Sequence, residues 1–172
     1  MTIEGSPSLP PATTTIVYAN QKSGGPRVFG ALAMLLGGLG VIGSLFEIGR
    51  AGDTIRMFSA DETSYSFWFY VDPILGIASA ALFAYAGFLL WNYKKKGVLM
   101  GLGAVGINTV NGVLGSVIIG MITEEVGDAA GVDGFGAIVA SGGILLTVLG
   151  AVCCGLIVLL PLFMNGNDLD DE

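Results

Sequence analysis

The chain has 172 residues, 53% of them hydrophobic and only 12% charged, with no histidine and a net charge of −7. Soluble domains carry about 25% charged residues, so this composition points to a polytopic membrane protein of one domain. Absent histidine excludes imidazole from any metal site, proton relay or catalytic dyad. An acidic surface also gives nucleic acid nothing to bind, since phosphate recognition needs clustered Lys and Arg.

Residues 1–27 are rich in Ser, Pro, Thr and Gly. Such a stretch cannot bury enough apolar surface to offset its ordering entropy and is expected to be a mobile tail. The first apolar run, 28–48, is longer than a signal-peptide core and is expected to stay as a first span. A bilayer core about 30 Å thick takes roughly 20 helical residues to cross. A polar segment over 49–66 holds Arg50, Asp53, Arg56, Asp61 and Glu62. The second span, 67–91, opens on Phe67-Trp68-Phe69-Tyr70 and closes on Trp91, with Tyr93 just beyond, aromatics that favour the headgroup zone.

The turn Asn92-Tyr93-Lys94-Lys95-Lys96 is too short to do anything but reverse the chain into a third span, 97–122. An acidic loop follows, with Glu124, Glu125, Asp128 and Asp133, expected to be solvated because it lacks calcium-loop spacing. The fourth span, 135–161, exceeds one bilayer crossing, which predicts tilt or a frayed start near Gly142-Gly143, with Pro161 ending it. Residues 164–172 form an acidic tail. The expected fold is an all-α bundle of four transmembrane helices.

Five of the seven basic residues (Lys22, Arg27, Lys94, Lys95, Lys96) fall on one side of this arrangement and two (Arg50, Arg56) on the other. The positive-inside rule therefore predicts both termini in the cytoplasm of a cell-membrane protein. Lys94, Lys95 and Lys96 are expected to contact anionic headgroups of the inner leaflet.

Helices in lipid associate through close backbone approach across small residues. Small-residue stripes with heptad spacing run along three spans: Gly30, Ala33, Gly37, Gly40, Ser44 and Glu47 in the first; Gly97, Gly101, Ala104, Asn108, Asn111 and Gly115 in the third; Gly136, Ala140, Gly143, Thr147, Gly150 and Cys154 in the fourth. Gly76, Ala80, Ala84 and Gly87 share one side of the second. These predict a tightly packed bundle, with Leu102, Val105 and Val113 turned toward lipid or a partner.

Ionisable residues within a span are functional candidates because they are costly there. Glu47 and Asp72 qualify. Their structural reading is an interfacial cluster, Glu47–Arg50–Asp72, or Asp72 as N-cap of a helix begun by Pro73. Their functional reading is a cation or proton entry site. Asn108 and Asn111 are either polar glue bonded to Thr147 or backbone carbonyls, or part of a polar pathway. Cys153 and Cys154 read as small hydrophobes, since one cysteine pair without histidine cannot complete a zinc site.

No catalytic template is present, and no cofactor is implied. The expected role is a non-enzymatic accessory or scaffold subunit associating with itself or with a larger membrane complex. The alternative is a small transporter or channel using Glu47, Asp72, Asn108 and Asn111.

Overall fold

A computed structural model describes residues 22–57, 66–165 and 169–170 of the chain. The tail before residue 22, Asp61 and Glu62 of the first loop, and Asp168, Asp171 and Glu172 lie outside the described residues. Four helices follow one another: α1 Gly25–Met57, α2 Trp68–Trp91, α3 Lys96–Ala130 and α4 Phe135–Asn165. All four are long and apolar enough to cross a membrane. The molecule is an all-α four-helix bundle and a multi-pass membrane protein.

Three helices overrun their expected ends. α1 continues through Arg50, Asp53 and Arg56, and α3 continues through Glu124 and Asp128. A helix satisfies its own backbone and has no reason to stop where polar side chains begin. Charged residues mark the edge of the hydrocarbon rather than the end of the helix. α4 runs without interruption past Gly142-Gly143 and through Pro161, which is fully buried, to Asn165.

The stops that do occur are local. Gly131, at φ 73°, ends α3, and the N–H of Val132 donates to Gly127 O at 2.9 Å. Tyr93, at φ 60°, does the same for α2, where the N–H of Lys94 donates to Leu89 O at 2.9 Å. A left-handed residue in this position satisfies the last carbonyls of a helix. Glycine adopts it freely; tyrosine does so at a cost of about 1–2 kcal/mol.

Each helix packs on its neighbours in chain order, and α1 and α4 close the ring with the slightest of the four interfaces. Glycine decides how close the two tightest interfaces are. A Cβ at Gly30 would lie 2.6 Å from Gly87 O, and one at Gly37 would lie 2.6 Å from Ala84 N. Gly40 faces Ala80, and Ser44 faces Gly76. Between α3 and α4, Gly101 meets Val158, Gly112 meets Thr147, Gly120 meets Ala140, Gly136 meets Gly120 O, and Gly143 meets Ser116. Gly97 sits against Ala86 O of α2.

Two packing expectations change. Gly150 makes no close helix contact, since nothing lies within 4 Å of a Cβ built there; it borders a cavity between the helices instead. Val105 turns inward against the core, and Val113 is half-buried. Leu102 is exposed as expected, and the outward face of α3 is completed by Leu99, Ile107, Val110 and Leu114, because its contact with α4 runs along Gly112, Ser116 and Gly120.

The apolar core gathers Ala33, Phe83, Leu90, Tyr93, Val98, Ala104, Val158 and Leu169 toward the lysine-bearing turn. Outside, Leu35, Phe46, Leu99, Leu146 and Phe163 are all more than 60% exposed. Exposed leucine in such density is what a lipid solvent permits and water does not.

Candidate functional site

The charged and amide side chains of the spans collect in the half of the bundle away from the lysine turn. α2 starts at Trp68 and passes straight through Pro73, which places Asp72 inside the helix rather than at its cap. The N-cap reading of Asp72 is therefore set aside. Phe67 stands at that position in helical geometry and without a side-chain cap. The aromatic opening of α2 gains by being helical, because it lays Trp68 beside Gly115 of α3.

Asn111 of α3 is 8% exposed, and its Nδ2 donates to Asp72 Oδ1 at 2.6 Å and to Asp72 O at 3.2 Å. Among the described residues, neither Asn111 Oδ1 nor Trp68 Nε1 has a partner, although both atoms are buried. Gly115 lets the group converge: a Cβ there would lie 3.5 Å from Trp68 Nε1 and 3.6 Å from Asp72 Oδ1.

Asp72, Glu47 and Arg50 border one cavity of about 300 Å³, together with Thr54, Phe46 and Trp68. The expected ion-pair cluster does not form there. No salt bridge joins Arg50 to either carboxylate among the described residues. Glu47 and Arg50 both stand on α1 with exposed side chains.

Nearer mid-membrane, Ser79 Oγ lies 3.0 Å from Gly76 O and 3.4 Å from Asn108 Oδ1, sharing its proton between them. Asn108 and Ser79 border a second cavity of about 140 Å³, walled by Leu36, Phe83, Val105 and Cys154. Of the partners expected for the two asparagines, a backbone carbonyl does serve Asn111, at Asp72 O, whereas Thr147 bonds to Gly143 O of its own helix. Both amides face α2, because α3 gives α4 its glycine ridge and gives α2 its asparagines.

Three contributors were not singled out from sequence. Trp68 stands one turn before Asp72, Ser79 is the lone serine of the second span, and Glu124 sits in a loop whose pattern reads as solvated. Glu124 Oε1 accepts from the N–H of Gly134 at 3.1 Å, and Oε2 accepts from the N–H of Gly136 at 2.6 Å. It caps α4 from the end of α3. Asp133 is exposed, as are Lys94, Lys95 and Lys96 at the opposite end.

No family model, curated protein or solved structure gives a significant match to the chain. Its own geometry is the guide to its role.

Proposed function

We propose that the chain is a non-catalytic accessory or scaffold subunit that associates within the bilayer with a second copy or with another membrane protein. In this reading it sits in the cell membrane with both termini and the Lys94–Lys96 turn on the cytoplasmic side. The observation that carries the proposal is where glycine lies outside the bundle. Gly43 of α1, Gly103 and Gly106 of α3, and Gly142 of α4 are exposed, with nothing within 4 Å of a Cβ at any of them.

Against lipid alone, an outward glycine gives up side-chain dispersion for nothing. Against another helix it allows the backbones to meet. α4 is the helix least buried by its own chain, so it offers the broadest such face.

A transport reading draws on the Asp72–Asn111 pair and its adjoining cavity. It meets an obstacle in the other half of the bundle, where Ala33, Phe83, Leu90, Val98, Ala104 and Val158 close the interior without a polar atom in their side chains. An ion leaving the seam would have to cross that plug unsolvated.

The test is association in mild detergent or nanodiscs, read as stoichiometry by single-molecule photobleaching. Gly142→Leu is expected to reduce assembly while leaving thermal stability nearly unchanged, since a Cβ there lies more than 4 Å from every other part of its own chain. Unaltered stoichiometry in both Gly142→Leu and Gly43→Leu, together with ion flux in proteoliposomes abolished by Asp72→Asn, would favour transport instead.

A further inference from the structure

The lysine-bearing end of the bundle is closed by the chain's own C-terminal segment. Asp170 lies alongside the turn as a parallel bridge to Lys94. Its N–H donates to Tyr93 O at 2.7 Å, and its carbonyl accepts from the N–H of Lys95 at 3.0 Å. Its carboxylate accepts from Lys22 Nζ at 2.8 Å. The preceding Leu169 is 7% exposed and belongs to the apolar core with Leu90, Tyr93 and Val98.

Tyr93 holds this junction together. Its Oη donates to Ser23 O at 2.9 Å, and Lys22 Nζ and Arg27 Cζ stand 5.0 Å and 5.4 Å from its ring centroid. A ring with those contacts is a reason for tyrosine to occupy a left-handed position that glycine would adopt more easily.

Lys22, Arg27, Lys94, Lys95 and Lys96 thus gather at one end of the bundle, just beyond the apolar ends of its helices. Among the described residues the anion facing them is Asp170, which the sequence sets in the acidic run Asp168-Leu169-Asp170-Asp171-Glu172. We propose that this end is a binding site for anionic phospholipid headgroups, and that the Leu169–Asp170 segment is a built-in competitor for it. Docked, the segment neutralises Lys22 and repels phosphate from the turn. Undocked, it leaves the basic cluster to the lipid. The two states bind anionic lipid unequally, which is the condition for lipid to shift one toward the other. Leu169 makes the docked state specific, because a purely electrostatic tail would not bury a leucine.

The test uses the full-length protein in nanodiscs of phosphatidylcholine alone or mixed with phosphatidylglycerol. Hydrogen exchange at the Lys95 and Asp170 amides reports docking. Protection is expected in the neutral membrane and its loss in the anionic one. Leu169→Asp is expected to remove protection in both and to raise phosphatidylglycerol retention, read by native mass spectrometry. The rise is on the order of five-fold for each basic side chain made available.

Equal protection in the two membranes would overturn the proposal, as would unchanged lipid retention in Leu169→Asp. Replacing Lys94, Lys95 and Lys96 with Gln is expected to abolish the lipid effect at unchanged thermal stability; retention equal to that of the unsubstituted chain also overturns it. Inorganic phosphate added to neutral nanodiscs is expected to leave protection intact. Loss of protection with phosphate alone would assign the site to a soluble anion and refute the lipid assignment.

Discussion

Asn111 Nδ2 donates at 2.6 Å to Asp72 Oδ1, joining the third helix to the second through a buried amide and a carboxylate. Leaving that carboxylate without its donor costs the desolvation of an unsatisfied polar group, about 1–3 kcal/mol or more. Asn111→Leu is expected to lower the unfolding free energy in detergent by that amount. The double variant Asn111→Leu, Asp72→Leu is expected to recover part of the loss, because nothing polar is then left unpaired. Additive losses in a double-mutant cycle would show that the two residues are not coupled.

Two glycines of α1 give opposite expectations. Gly37 lies with its would-be Cβ 2.6 Å from Ala84 N and 2.7 Å from Ala80 O, both backbone atoms that cannot step aside. Gly37→Ala is expected to push α1 off α2 and to cost about 1–3 kcal/mol. Gly43 meets nothing within 4 Å, and Gly43→Ala is expected to be neutral or to gain up to about 1 kcal/mol from helix propensity. Thermal melts of the two variants side by side check the contrast, and equal losses would show that the α1–α2 contact is not as described.

Glu124 ties the end of α3 to the start of α4 through the N–H groups of Gly134 and Gly136. Removing such a cap costs about 0.5–2 kcal/mol. Glu124→Ala is expected to speed hydrogen exchange at Gly134 and Gly136 while leaving the α1–α2 half unchanged. Glu124→Gln, which keeps one acceptor, is expected to fall between the two. Exchange at Gly136 that matches the unsubstituted chain in both variants would mean that α4 is capped by other means.

What the sequence revealed and what it hid follow from the same physics. Four apolar runs of bilayer length were plain, since nothing else accounts for so few charges, and the bundle has four such helices. Helix ends were not plain, because Arg50 and Asp128 leave the hydrocarbon without leaving the helix. Asp72 and Asn111 each stood out as polar groups within a span. That they are partners depends on which neighbour α3 offers its asparagines to, and spacing along one helix does not fix that. The ridge Gly112, Ser116, Gly120 and Glu124 had a readable four-residue period, but it competed with the stripe ending in Gly115 on the same helix. Glu124 and Asp170 looked like solvated charge because a cap and a bridge are made by tertiary contact. Leu169, a lone apolar residue in an acidic run, was the one local hint of docking.

Four crossings require both ends of the chain on the same face of the membrane. Single cysteines replacing Ser6, Asp61, Lys95 and Val132, in a background with Cys153 and Cys154 changed to Ser, can be probed with a membrane-impermeant maleimide on intact cells. The account predicts labelling at positions 61 and 132 from outside and at 6 and 95 only after permeabilisation. Labelling of position 6 or 95 in intact cells, or recovery of the chain in the supernatant after detergent-free lysis, would contradict it.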